Sequence, residues 1–435
     1  MNIVYSKHRL ANGLDVLIHE DRACPIVSVN IWYHVGSKNE VPGRTGFAHF
    51  FEHLMFEGSE HHDKGYFQPL QGAGALLNGS TNADRTNYWE VVPTNAFELA
   101  LWMESDRMGY LLPALTAAKF QNQRDVVLNE RRQNYENRPY GLAPFAMLAA
   151  LYPEDHPDHW PTIGQIADLH AAHVDEVREF FATYYHPANA SIAIAGDVDT
   201  DSALAMVRDY FEGIAPGPNV APVRPPEPEL HGESRLIIED RVELPRLYLG
   251  WITPAMFGAD DAELDLAADI LANGKTSRLY KRLVYDMRAA TDVSAAQNSR
   301  EAGGFVQIAA TAAPGRTLAE LERVIVEEVA RLADEGPTDD EIERGRVQAE
   351  AQFIYRLQTV GGFGGKSDQL NAYNVFLGDP GYFDRDLTRY TNVTAASLRD
   401  AVRRYLTHTN RVTLSIVPKG KAIFGMPGSQ PSPVS

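Results

Sequence analysis

Twenty residues near the middle of the chain, APGPNVAPVRPPEPELHGES at 215–234, carry six prolines. Proline fixes φ and lacks an amide hydrogen, so neither a helix interior nor a central strand runs through such a stretch. The 435-residue chain is thereby parted into two halves of similar length, each long enough for its own hydrophobic core. The halves also end alike. VREFFATYYHPANASIAIAGD from Val177 and LRDAVRRYLTHTNRVTLSIVP from Leu398 share a helix-like opening, a Tyr, an Asn and an alternating strand. A constant offset of 221 places Arg178 on Arg399, Tyr184 on Tyr405 and Asn189 on Asn410. This predicts a duplicated domain: residues 1–214 form an N-terminal domain, 215–234 a Pro-rich linker, 235–423 a homologous C-terminal domain, and 424–435 a disordered tail.

Within each half, period-two runs (IVSVNIWYHV, SIAIAGDV, RLYLGWIT, GFVQIAATAA) alternate with amphipathic helical patterns (FELALWMESDRMGYLL, LAELERVIVEEVARLADEG). The fold class that follows is α+β, with antiparallel sheets flanked by helices in both domains. A formal net charge of −18 argues against nucleic acid as a partner, because phosphate recognition needs a basic surface. The single cysteine, Cys24, excludes an intrachain disulfide and a thiolate-based zinc site. No run approaches 18 consecutive apolar residues, so no membrane-spanning helix is expected. The N-terminal residues lack the pattern of a signal peptide, which makes the expected location cytoplasmic, or periplasmic if a leader was removed.

The chemistry concentrates in AHFFEHLMFEGS, residues 48–59, where His49, Glu52 and His53 interrupt a run of Phe, Leu and Met. Residues four apart share a helix face, so His49 and His53 can offer two imidazole nitrogens to one metal ion, with the Glu52 carboxylate in reach of a metal-bound water. This H-x-x-E-H order reverses the H-E-x-x-H motif of zinc proteases. With 14 histidines and 58 acidic residues, such a pattern is expected by chance only about 0.06 times in this chain. The alternative is a pair of core histidines satisfied by hydrogen bonds. A catalytic zinc site takes three protein ligands and leaves a position for water. The best third ligand is Glu130, in the polar helix FQNQRDVVLNERRQNYENRPYG, where Gln123, Val127, Glu130 and Asn134 share a face.

These four residues, with Glu130 in a DVVLNE context after 76 residues that follow His53, resemble the M16 (pitrilysin-like) zinc peptidases. LNGSTNADRTNYWEVVP is similar to that family's substrate-binding edge strand, and LGWITPA with DLAADILANGKTSRLYKRL to the start of its second domain. The length resembles the family's short dimeric branch and the catalytic subunit of mitochondrial processing peptidase. The resemblance implies one Zn2+ per chain held by His49, His53 and Glu130, with Glu52 as general base. It implies a peptide substrate captured in extended form at Asn78 and Gly79. Zinc lowers the pKa of a water it binds towards ~7, which gives the carboxylate a proton to take.

The pattern breaks at two places. Position 123, where active relatives carry a second glutamate, is Gln123. The second-domain Arg and Tyr that active relatives use to stabilise the oxyanion fall on Val284 and Thr291 in LVYDMRAATDV, and the nearby Tyr285 and Arg288 do not reproduce their spacing. Such a donor is worth roughly 3 kcal/mol. A heterodimer follows as the expectation, with a homologous M16 subunit supplying Arg and Tyr. The other reading is a non-catalytic assembly or peptide-binding subunit of the same fold. Finally, GGFGGKS at 361–367 lacks the first glycine of a phosphate loop and is read as a flexible hinge or as a loop near the chamber that the resemblance implies between two chains.

Overall fold

A computed structural model describes residues 3–434. Their contacts form two compact units, and neither is one stretch of chain. The first takes residues up to Glu130, Thr162–Val223 and Gln352–Arg385; the second takes Arg131–Pro161, Arg224–Ala351 and everything from Asp386 on.

The first unit is built on six strands: β1 (Ser6–Arg9), β2 (Asp15–Glu20), β3 (Ile26–Tyr33), β4 (Leu76–Thr81), β5 (Thr86–Pro93) and β6 (Ala190–Gly196), in the order β1-β2-β6-β3-β5-β4. The sheet is mixed rather than antiparallel. β6 enters the gap between β2 and β3, which run in opposite directions, so it must be parallel to one of them; it is parallel to β2. Four helices of this unit matter below: α1 (Phe47–Leu54), α2 (Phe97–Ala114), α3 (Ala117–Arg131) and α4 (Val174–Tyr184). β4 lies at the edge of the sheet, and among the described residues no strand lies on its outer side.

β3 and β6 are buried almost throughout, which suppresses the polar alternation of a half-exposed strand. The layer on one face of β3 includes α2, and the helix Lys366–Leu377 packs on β3 and β6. That helix comes from the far end of the sequence and docks through polar groups. The Asp368 carboxylate accepts from Asn30 Nδ2 at 3.2 Å, Trp32 Nε1 at 2.8 Å and Asn87 Nδ2 at 3.1 Å. Ser367 meets Ser28 at 3.0 Å, and Asn371 donates to the Asn30 carbonyl at 2.8 Å. The loop 361–365 before it is no hinge: a Cβ at Gly361 would stand 2.2 Å from Ser28 Oγ, so the backbone lies flat on the sheet.

The second unit repeats the plan. β7 (Glu233–Asp240), β8 (Arg246–Thr253), β9 (Ala290–Arg300), β10 (Gly303–Ala312), β11 (Arg411–Pro418) and β12 (Gln430–Pro431) take the order β12-β7-β11-β8-β10-β9. β11 again enters between β7 and β8 and is parallel to the first. The helices α5 (Leu318–Glu335) and α6 (Ala395–Tyr405) match α2 and α4 end for end, 97 with 318, 114 with 335, 174 with 395 and 184 with 405. The core lies between this sheet and its helices, with Leu249, Trp251, Leu271, Val324 and Val402 fully enclosed. The helix Ala143–Leu151 covers the other face, packing on Tyr248, Leu414 and Ile416.

The C-terminal residues were expected to fray from 424 onward, and Ser435 lies outside the described residues. The rest are ordered: β12 pairs with β7, Met426 is buried, and its amide donates to Ser415 Oγ at 3.0 Å. Edge pairing satisfies the backbone that composition alone left free. Among the described residues no helix is long and apolar enough to cross a membrane.

Candidate metal centre

α1 starts at a corner that favours glycine. Gly46 has φ 88°, and a Cβ there would stand 2.8 Å from the Ile163 carbonyl oxygen. No side chain at the N-cap itself closes the helix. The buried Glu40 carboxylate does so from the preceding loop, accepting from the Gly46 amide at 2.8 Å and the Ala48 amide at 2.9 Å. Phe47, Ala48, Phe50, Phe51 and Leu54 turn inward, Phe51 against Phe180, Phe181 and Tyr185. Helical spacing then brings His49, Glu52 and His53 to the remaining face.

There α1 meets α3. His53 Nε2 lies 3.1 Å and His49 Nε2 3.7 Å from Glu130 Oε2. One ligand atom from each of His49, His53 and Glu130 falls within 4.8 Å of the other two. The imidazole rings meet edge to face with centroids 4.8 Å apart. Burial, and then the neighbouring His53, push the His49 pKa down to about 4. Its imidazole is therefore neutral at pH 7, the form that offers a lone pair to a metal. His49 Nδ1 is buried without a hydrogen-bond partner among the described residues. Two imidazoles and a carboxylate form a donor set of the His2Glu type, and a divalent cation at its centre compensates the polar atoms buried there.

Glu52 stands beside this set. Its carboxylate accepts from Thr81 Oγ1 on β4 at 2.7 Å. Burial pushes its pKa up, while the Thr81 hydroxyl and His53 favour the charged form. A carboxylate held above its ordinary range is a stronger proton acceptor near neutral pH. Thr81 was not singled out from the sequence, although its place in NGST on the edge strand is a usable signal. Arg85, just past β4, ties down the same strand end: Nη1 donates to the Ser80 carbonyl at 2.8 Å and to Ser80 Oγ at 2.7 Å.

Asn78 and Gly79 lie on the edge strand β4, opposite Trp89 and Tyr88 of β5. A Cβ at Gly79 would come 3.1 Å from the Phe56 ring and equally close to Tyr88, so β4 lies tight against the residues that follow α1. Beneath it the buried Arg107 guanidinium is paired with Glu104 and sits 3.9 Å from the Tyr66 ring and 4.2 Å from the Tyr88 ring. Gln123 donates its amide to Glu57, the carboxylate that follows the motif. Val284 and Thr291 belong to the second unit. Val284 packs half-buried against that unit's core, and Thr291 bonds Asp292 at 3.2 Å. Tyr285 is 77% exposed, and Arg288 has a left-handed φ of 50°.

The family model described as Insulinase (Peptidase family M16) matches residues 15–156, and the one described as Peptidase M16 inactive domain matches residues 172–348. An uncharacterized zinc protease of Mycobacterium leprae is 30% identical over 352 residues, 80% of this chain and 78% of that protein. The chain belongs to the M16 peptidase family. The zinc protease PqqE of Helicobacter pylori is 26% identical to this M16 chain over 94% of its length and 92% of the relative's. A solved protease from Helicobacter pylori superposes with a TM-score of 0.87 at 25% identity, covering 95% of this chain and all, 100%, of that one. A structure described as a peptidase M16 inactive domain from Pseudomonas fluorescens shares the fold at a TM-score of 0.84 and 19% identity, over 99% of this chain and 100% of that one. The motif residues 49, 52, 53 and 130 all fall in the first M16 match, while 284 and 291 fall in the second.

Proposed function

We propose that this chain is the zinc-bearing subunit of an M16 endopeptidase, of the short dimeric type to which mitochondrial processing peptidase belongs. The observation that carries the reading is the convergence of His49, His53 and Glu130 beside Glu52, itself held by the edge strand through Thr81. The zinc protease relatives support the choice of metal. In this reading residues 1–214 carry the chemistry, and His49, His53 and Glu130 hold one zinc ion per chain. When bound, that ion supplies a Lewis acid that acidifies water and polarises a peptide carbonyl.

The chain's own residues do the rest. Asn78 and Gly79 on β4 bind the substrate backbone as an added strand, which draws an extended or unfolded peptide across the site. Glu52 accepts a proton from the attacking water and returns it to the departing amine, while Thr81 fixes the orientation of its carboxylate. Oxyanion stabilisation is the missing part. Val284 and Thr291 have no cationic or phenolic group to offer, so a homologous M16 subunit carrying Arg and Tyr completes the site as a heterodimer.

Metal analysis and one substitution test this reading. Purified chain should contain about one zinc per molecule, and Glu52→Gln should keep the metal but lose peptide cleavage in the presence of the partner. Cleavage that survives Glu52→Gln excludes Glu52 as the base. A chain that binds no zinc, and gains no activity beside any homologous subunit, excludes the peptidase assignment.

A further inference from the structure

The two faces of the edge strand differ sharply. Leu77, Gly79 and Thr81 point to the α1 side, where Thr81 reaches Glu52 and Gly79 abuts Phe56. Leu76, Asn78 and Ser80 point the other way, in register with Val91, Trp89 and Asn87 of β5. On that second face Leu76 is 69% exposed. Phe363, 51% exposed, sets its ring edge-on to Trp89, the β5 residue opposite Asn78, with centroids 5.4 Å apart.

Phe363 is held there by design of the backbone. Gly362 and Gly364 have φ of 82° and 75°, which places Phe363 at the apex of a tight turn. The turn is pinned on both sides: the Gly364 amide donates to Asp368 Oδ2 at 2.8 Å, and the Lys366 and Ser367 amides donate to the Thr359 and Val360 carbonyls at 3.0 Å each. Phe363 is thus fixed in solvent against Trp89, on the sheet face where Leu76 of the edge strand is also exposed, an arrangement that exposes apolar surface at a cost unless something covers it.

We infer that Leu76, Trp89 and Phe363 form a side-chain subsite for a large apolar residue of the bound peptide, on the face of β4 turned away from the metal cluster. The inference rests on the reading of β4 as the strand that captures substrate. A peptide added to β4 presents successive side chains to opposite faces. Where one side chain faces α1 and the metal cluster, its immediate neighbours face Leu76 and Phe363. The substrates selected are extended segments with Phe, Tyr or Leu at such an alternating position. Covering Leu76 and Phe363 drives this, because each would lose water-exposed apolar area.

Binding rather than turnover tests the subsite. The full chain carrying Glu52→Gln and loaded with zinc is titrated with fluorescent peptides that differ only by Phe or Ser at each position in turn. The Phe peptide should bind about tenfold more tightly at alternating positions only, the scale expected for burying one aromatic side chain. Adding Phe363→Ser or Leu76→Ser should bring that preference to within about twofold, leaving the affinity of the Ser peptide and the melting temperature unchanged. Both side chains are largely exposed, so neither substitution threatens the fold. A Phe preference that persists in both variants, or no preference at all, overturns the subsite. Failure of every peptide to bind overturns instead the assignment of β4 as the capture strand.

Discussion

Glu52 is the residue on which the proposed chemistry turns, and its surroundings pull in opposite directions. Burial favours the neutral acid, while the hydroxyl of Thr81, 2.7 Å away, favours the carboxylate and fixes where it points. Thr81→Val keeps the shape of the strand and removes only this bond. We expect kcat to fall about tenfold with zinc content unchanged, the scale of losing one orienting partner beside a metal site; an unaltered kcat would show that Thr81 does not orient the base. His49 was legible from the sequence as half of an i, i+4 pair. Its neutrality was not, because that comes from burial and from His53 in the folded site.

At the scale of elements, α1 illustrates how a short helix is made to carry polar residues. It spans only Phe47–Leu54, and isolated helices of that length are unstable in water. Its inner face is anchored by aromatic packing, and its first amides are closed by Glu40 rather than by a residue at the N-cap. Glu40→Ala leaves two buried amides without an acceptor. The expected loss is about 1–2 kcal/mol in denaturant unfolding of the zinc-free protein, together with weaker zinc retention against a chelator. A change in zinc retention with no change in stability would mean that Glu40 acts on the metal directly. No motif links Glu40 to Gly46 and Ala48, so the cap could only emerge from the loop's path. The same holds for Phe363, whose flanking glycines read as a hinge until their positive φ values and the contacts of Gly361 were in view.

At the scale of the whole molecule, stability should depend on pH through a buried carboxyl group of the second unit as well. Asp265, in the helix Asp261–Ala272 of the second unit, accepts from the Tyr390 hydroxyl at 2.7 Å, and burial pushes its pKa up to about 6. In the unfolded chain such a group titrates near 4. Between those two values the folded state holds the extra proton, so this group's contribution is complete below about pH 4 and is lost as the pH rises through about 6. Asp265→Asn keeps an acceptor for Tyr390 without a charge to bury. The variant should be more stable than the parent at pH 8, by on the order of 1 kcal/mol, and the two should converge near pH 4 in thermal unfolding; a gap that persists at pH 4 would exclude the titration as its cause. The net charge of −18 adds a general repulsion at neutral pH that salt should relieve in parent and variant alike.

What the sequence by itself determined was whatever is local or repeated. The 221-residue recurrence identified two copies of one topology, and α2 with α5 and α4 with α6 obey it at both ends. The H-x-x-E-H spacing named three residues of the candidate site because helical periodicity alone brings them to one face. Glu130 was a candidate only through its pairing with that motif, and it lies 3.1 Å from His53. The tertiary structure decided what depends on distant segments meeting. It gave the helix Lys366–Leu377 to the first unit, because Asp368 and Asn371 find their partners on β3 and β5 there, and buried polar residues leave no hydrophobic pattern to read. It paired β12 with β7, set Thr81 against Glu52, and placed Phe363 against Trp89 of β5, since each of these requires a contact whose partner no local pattern names.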